Sequence, residues 1–152
     1  MKKRTIVLLA VLVAVSLPLA SVASADELNG TGTIRAKGAG LAIVRGDGEV
    51  DIEARGVGLV WIKDAETLEA SGHGHRWEAP GGATVLWGWS GTIYASGQQI
   101  TVWMTGGLIE FTASGTGRVY LRGHGTYEIN GQEGLWSPTG EVLRLDAVQQ
   151  VQ

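Results

Sequence analysis

The chain has 152 residues, a formal net charge of −3 and no cysteine, so disulfides cannot stabilise it. All 15 acidic residues lie after residue 25, whereas three of the 12 basic residues precede it, so the remainder carries a formal charge of −6. The remaining basic residues are scattered along the sequence without a cluster. This distribution argues against a nucleic-acid partner and, for the same reason, against an anionic membrane surface.

Residues 1–25 have the three parts of a cleavable secretory signal peptide. A basic start at residues 2–4 precedes an apolar run over residues 6–15, and small residues at 23–25 form a cleavage site. Pro18 ends any helix in this region, and a membrane-spanning helix needs roughly 20 apolar residues, so an anchor is the weaker interpretation. We therefore expect an exported protein that is periplasmic, on the cell surface or secreted.

Residues 26–152 are predicted to form a single all-β repeat domain, with residues 141–152 as a C-terminal cap or tail. From Ile34 to Ile62, every second residue is apolar or glycine, an alternation that is typical of β-strands. All 24 glycines lie after residue 25, and Gly-x-Gly pairs or their remnants recur along this region. Glycine accepts the backbone conformations that corners between strands need.

Internal matches indicate a duplicated two-strand unit of 16–18 residues. Residues 33–41 match residues 51–59, a further copy covers residues 68–74, and a longer echo relates residues 36–52 to residues 113–129. One fold that fits is a Gly-cornered β-solenoid, or β-helix, whose like strands stack in parallel. The alternative is an antiparallel β-barrel or sandwich built from repeated hairpins, which regular short strands and frequent turn signals favour. We favour the solenoid because stacked coils select identity at matched positions.

The predicted strands differ in the side chains that they direct away from the core. Residues 49–55 place polar side chains there, which indicates a solvated face. Residues 59–62 and 102–104 are apolar on both sides, a pattern typical of strands buried on both faces. One side of the structure is therefore predicted to be covered, either by the chain itself or by a partner.

Stacking the units predicts an aromatic ladder on the doubly apolar side. Its candidate binding residues are Trp61, Trp77, Trp103 and Tyr120. The favoured interpretation is that these rings pack against another sheet of the same chain. A protein interface or a glycan-binding surface is the functional alternative, because exposed aromatic patches usually mark interaction sites.

Candidate chemistry is limited to three histidines. His73 and His75 lie on one face of a strand, and His124 lies in a similar Gly-x-Gly corner, so together they are weak candidates for a zinc site. His124 takes the place that Asp47 has in the first copy, which is typical of a turn tip that accepts any polar residue. We expect no catalytic residues, no cofactor and no metal site.

The Gly-x-Gly pairs followed by alternating apolar residues, from Gly30 to Gly134, resemble bacterial exported β-helical repeat proteins of the head GIN-domain or putative autotransporter-adhesin type. This chain has fewer Ser-Gly-Ser-Gly runs and more tryptophans than that family. The resemblance implies an exported right-handed β-helix without enzymatic activity.

We therefore expect a non-catalytic exported β-repeat protein of the cell envelope or extracellular space, acting in adhesion, assembly or scaffolding. A glycan-binding module that uses the aromatic ladder is the alternative. The expected partners are a second copy or an envelope protein bound through the doubly apolar strands, or a glycan. We expect no nucleic acid and no transmembrane segment after signal cleavage.

Overall fold

The computed structural model describes residues 31–145, which form six β-strands and contain no helix. In chain order the strands are β1 (Gly32–Arg55), β2 (Leu59–Lys63), β3 (Thr67–Ala79), β4 (Ala83–Ile129), β5 (Gln132–Leu135) and β6 (Glu141–Arg144). The prediction of an all-β protein is confirmed. The predicted signal peptide, residues 1–25, and residues 146–152 of the predicted cap or tail lie outside the described residues.

The sheet is wound rather than flat. Ile34 and Val50 both lie opposite Ala113, although they are 16 residues apart in β1. β4 returns in the same way, because Ile34 lies opposite Ile129 as well as Ala113, and these two are also 16 residues apart. A strand that pairs with the same residue again 16 residues later has completed one coil. The spacing matches the 16–18-residue unit in the sequence.

Strand direction differs from the favoured prediction. β1 and β3 pair antiparallel with β4, as do β5 and β6. β2 lies between two segments of β4. Leu59 lies opposite Thr105 and Lys63 lies opposite Thr101, so the residue numbers of the two strands run in opposite directions. The solenoid with parallel stacking is therefore not confirmed, whereas the antiparallel alternative agrees with the pairing of β1 and β3.

A long hairpin accounts for both the period and the direction. Ala79 lies opposite Ala83, and the amide of Gly82 donates to the Ala79 carbonyl at 3.3 Å, so the chain reverses at residues 80–82. Residues 32–79 and 83–129 then run side by side in opposite directions as a coiled two-stranded ribbon. In such a ribbon, each coil places inward side chains at the same positions as the coil before it. A β-solenoid made from a single coiled chain does the same.

One apolar core lies inside the coil. The apolar side chains at alternate positions of β1 are buried, as the period of two along a strand requires; they are Ile34, Ala36, Ala42, Val44, Val50 and Ile52. The largest side chains that are almost fully buried are Ile34, Ile62, Leu86, Ile93, Ile100, Met104 and Leu121. Glycines lie where the strands bend between flat segments, and Gly48 lies opposite both Gly97 and Gly115 at one bend.

The outside of the coil has two unlike faces. The polar face consists of the outward side chains of residues 33–37, 49–55, 67–71, 92–96, 110–114 and 126–128, which are neighbours across the sheet. The aromatic face consists of the outward side chains of residues 41–45, 59–63, 75–79, 83–87, 101–105, 118–122 and 142–144, which are also neighbours. The predicted contrast between two sets of strands thus becomes a contrast between two surfaces.

The last described strand, β6, completes the sheet near the first residue of β1. β6 pairs with residues 118–121, and the side chains of Leu143 and Leu145 are buried. Asn130 joins the two ends, since its Nδ2 donates to the Leu145 carbonyl at 3.2 Å and its Oδ1 accepts from the Thr33 amide at 2.9 Å. Residues 141–145 of the predicted cap or tail therefore belong to the wound sheet.

Thr84 and Glu78 form a polar contact at the hairpin end of the sheet. Thr84 Oγ1 donates to Glu78 Oε2 at 2.6 Å, and Arg76 Nε donates to Glu78 Oε1 at 2.9 Å. These bonds, that from Thr84 first, hold the pKa of the Glu78 carboxyl below its usual range. A lowered pKa in the folded state stabilises the fold above the unfolded-state pKa, and this contribution is lost as pH falls through the folded-state pKa.

Replacing Thr84 with valine will raise the pKa of Glu78 towards its usual range, because the strongest hydrogen bond to the carboxylate is lost. An NMR titration of the Glu78 carboxyl in both proteins measures the shift. Thr92→Val, which removes an exposed hydroxyl from the polar face, is the control. An unchanged Glu78 titration in Thr84→Val would contradict the assignment.

Candidate binding face

The predicted aromatic ladder forms one row across the aromatic face. Trp77 and Trp61 both lie opposite Val85, and Trp61 also lies opposite Trp103. In register order the row is Trp77, Val85, Trp61, Trp103, Ile43, Tyr120 and Val142. All four residues proposed from the sequence therefore lie side by side, with only apolar side chains between them.

The rings of this row are open to solvent to different extents. Trp77 is 53% exposed and Trp103 is 38% exposed, whereas Trp61 and Tyr120 are partly buried. Val85 lies between Trp77 and Trp61 in the row and is buried. The favoured interpretation, in which these rings pack beneath another sheet, does not hold for Trp77 and Trp103, because within residues 31–145 both side chains stay exposed.

A second exposed row adds residues that sequence reasoning did not include in the ladder. Trp87 is 42% exposed and Leu59 is 37% exposed, and the two lie opposite each other. Their position two residues from Val85 and Trp61 places them on the same face, since side chains alternate with a period of two. In the sequence, residues 59 and 87 are each two positions from a residue of the aromatic row, and this spacing is the signal that could have identified them.

Ring geometry makes the face irregular rather than a set of parallel platforms. Trp61 and Trp103 meet edge to face, with ring centroids 6.3 Å apart and an interplanar angle of 66°. Trp87 stacks on His75 at 5.1 Å and 16°, so the imidazole covers one of its ring faces. The face thus offers edges and faces of indoles, both of which suit contact with a soft apolar partner.

The other two tryptophans have structural positions. Trp136 is buried, and its Nε1 donates to the Thr126 carbonyl at 3.1 Å. Trp89 is partly buried and packs against the core. The six tryptophans therefore divide into two that support the fold and four that form the aromatic face.

A row of basic side chains lies next to the aromatic row. In register order it contains Lys63, Thr101, Arg45, Arg118 and Arg144. Within residues 31–145, Lys63, Arg45 and Arg118 form no ion pair with an acidic side chain. In the sequence these basic residues are scattered, because the members of this row are far apart in the chain.

The polar face has the opposite charge pattern. Its acidic side chains are Glu49, Asp51, Glu53, Glu69, Glu110 and Glu128. Two of its basic side chains, Arg55 and Lys37, are paired with them. Arg55 Nη2 lies 2.9 Å from Glu53 Oε1 and 3.2 Å from Glu110 Oε2. Lys37 also contacts Glu110, at 3.7 Å. The two faces therefore differ in charge as well as in hydrophobicity.

The three candidate histidines do not form a metal site in the described part of the chain. His73 lies opposite Ser90, and His75 lies opposite Trp87, on which it stacks. His124 lies opposite Ala39, at another corner of the sheet. Among residues 31–145, no three His, Cys, Asp or Glu side chains are grouped so that they could hold a metal ion.

These features define an all-β protein whose candidate site is an outer face rather than a cleft. Comparison of the chain with protein-family models, with curated proteins and with solved structures finds no match. Residues 31–145 also contain no helix with the length and hydrophobicity needed to cross a membrane.

Proposed function

We propose that the chain is a non-catalytic, exported β-repeat protein of the cell envelope or extracellular space that attaches to a partner through its aromatic face. Adhesion, assembly and scaffolding are the activities that such a surface serves. The observation that carries the proposal is the row from Trp77 to Tyr120, which is continuous across the sheet and in which Trp77 and Trp103 are exposed within residues 31–145. Exposed apolar patches of this kind usually mark interaction sites.

The finer architecture is part of the proposal. We propose that the coiled ribbon is an antiparallel, two-layered counterpart of the predicted β-solenoid, with the polar face on one layer and the aromatic face on the other. Backbone pairing on both sides of most strand segments supports a rigid surface. A rigid surface binds without a large cost of ordering its own backbone.

The exposed apolar area of the face is typical of an interaction surface. An aromatic side chain buries about 150–250 Å² when it is fully covered. Three indoles that are 38–53% exposed, together with Leu59 and Val142, therefore leave on the order of 400 Å² of apolar surface uncovered. Apolar patches of about 300–600 Å² on soluble monomers are often functional.

A double variant tests the proposal. Trp77→Ser with Trp103→Ser removes two exposed rings from the row, and Leu135→Ser removes an exposed apolar side chain that lies away from it. Each chain is produced in its native host, and the protein is quantified in the envelope fraction and in the medium. We expect the wild type and Leu135→Ser to remain with the envelope and the double variant to move largely into the medium.

Two readouts make the result decisive. The first residue of the recovered wild type tests export, and Asp26 is expected after signal cleavage. Urea unfolding of each variant shows whether the fold is retained. Equal partition of the double variant and the wild type, with both folded, would overturn the role of the aromatic face. Recovery of the uncleaved chain from the cytoplasm would overturn export.

A glycan-binding module is the second candidate, and the exposed indoles are the observation that favours it. Sugar rings stack on open aromatic faces, whereas Trp61 and Trp103 are edge to face and His75 covers one face of Trp87. These geometries favour an apolar partner over a stacked sugar chain. Tryptophan fluorescence measured across a panel of neutral polysaccharides tests the candidate, and a saturable change that Trp77→Ser abolishes would support it.

A further inference from the structure

The basic row gives the aromatic face a charge that its sequence does not reveal. Arg45 lies directly opposite Arg118, and Lys63 is separated from Arg45 only by Thr101. Like charges placed opposite each other on a sheet destabilise it. Within residues 31–145, none of these three cations has an acidic partner. An anionic partner would relieve the repulsion between Arg45 and Arg118.

Basic and apolar side chains meet in one shallow depression at this part of the face. Its volume is about 570 Å³, and it is lined by Arg45, Arg118, Ile43, Tyr120 and Val142. The carboxylate of Asp47, two residues from Arg45, accepts from the Gln99 amide through Oδ1 at 2.7 Å and forms no ion pair with Arg45 or Arg118. The depression therefore combines two free guanidinium groups with an aromatic and aliphatic wall, which suits a ligand that is both anionic and apolar.

The shape of the face favours an extended partner over a small molecule. Seven neighbouring segments, spaced about 4.8 Å apart, carry the row over roughly 30 Å. Indole and phenol rings are favoured at the boundary between water and lipid, where one end is apolar and the other is hydrated. A second copy of the chain is a poorer occupant, because the outward side chains of its aromatic face include no carboxylate to meet the basic row.

The negative charge of the whole chain does not oppose this arrangement. At physiological ionic strength the Debye length is about 8 Å, whereas stacked sheets lie about 10 Å apart before side chains are added. A surface that contacts the aromatic face is therefore largely screened from the acidic polar face. The basic row is the charge that such a surface experiences.

Resting on the proposed attachment through this face, we infer that its partner is an anionic lipid surface. The indoles would lie at the level of the headgroups, while Arg45, Lys63 and Arg118 bind the phosphates. This inference reverses the expectation drawn from the scattered basic residues of the sequence. Lipid phosphates complement the charge of the basic row, whereas a purely apolar protein surface does not.

Vesicle sedimentation with the purified full chain tests the inference. The probes are phosphatidylcholine vesicles with and without phosphatidylglycerol, at low and high salt. We expect binding only to the vesicles with phosphatidylglycerol, weakened by salt. Arg45→Gln with Arg118→Gln is expected to bind about 30-fold more weakly, since each cation near an anionic surface contributes roughly fivefold. Arg35→Gln with Lys37→Gln removes the same charge from the polar face and should bind as the wild type does.

The outcomes separate this inference from the proposed function. Equal binding to both vesicle types, absence of binding to either, or wild-type binding by the folded Arg45→Gln, Arg118→Gln variant would each overturn the lipid assignment. Binding to an acidic polysaccharide in place of vesicles would also overturn it and would identify another partner. If Trp77→Ser with Trp103→Ser still releases the protein from the envelope in those cases, the proposed function stands without the lipid.

Discussion

Replacing Gly48 with alanine is expected to lower the free energy of unfolding by about 3 kcal/mol or more, enough to unfold a marginally stable domain. Gly48 has φ of +146°, in a region that side chains of L-residues rarely adopt. A Cβ atom at this position would also collide with the carbonyl oxygen of Ser114. The neighbouring strand cannot move away, because Gly115 and Gly97 pair with Gly48 on its two sides.

Gly107→Ala is the matched control for this result. Its added Cβ would lie 3.6 Å from Val57 Cγ1, an ordinary van der Waals distance, and Gly107 does not have positive φ. We expect its urea midpoint to stay close to that of the wild type. Equal loss of stability in the two variants would show that the bend at Gly48 does not depend on close backbone packing.

Replacing Phe111 with alanine is expected to cost about 3–5 kcal/mol, the range for removing an aromatic side chain from a core. Phe111 is buried and lies opposite Ala36 on one side and Ile52 on the other. The small Ala36 beside the large Phe111 indicates interdigitated packing in the wound sheet. Deleting the ring leaves a cavity that the surrounding backbone ladders prevent from closing.

Trp77→Ala serves as the contrast in the same urea titration. Trp77 is 53% exposed at the edge of the sheet, so its truncation is expected to change stability by no more than about 1 kcal/mol. A larger loss for Trp77→Ala than for Phe111→Ala would contradict the division between core and face. If the division holds, the aromatic face can be altered for binding tests while the fold is retained.

The edge of β3 also bears on how the protein attaches. An uncovered edge strand can pair with another chain, and charged side chains and proline are common protections against it. β3 carries the Arg76–Glu78 pair, with nitrogen and oxygen 2.9 Å apart, and Pro80 follows its end. Addition of a strand at this edge is therefore disfavoured, which leaves the aromatic face as the better surface for attachment.

Sequence alone was sufficient for several properties of this chain. Alternation from Ile34 to Ile62 predicts β-strands and also which side chains point inward, because parity depends only on the period of two along a strand. The internal matches predict a 16–18-residue unit, and the same interval separates Ala113 from Ile129, the two partners of Ile34. The alignment of Trp61, Trp77 and Tyr120 was predicted for the same reason.

Direction and surface composition depended on the tertiary structure. A coiled single chain and a coiled antiparallel ribbon repeat the same inward positions at each coil, so the pattern could not distinguish them. Only the hairpin at residues 80–82 decided that β3 and β4 run in opposite directions. The same winding places Arg45, Lys63 and Arg118 in one row beside the exposed indoles, although the sequence separates them widely. The sequence determined which side chains face outward. The register of the coil decided which of them are neighbours, because cross-strand pairing joins residues that are distant along the chain.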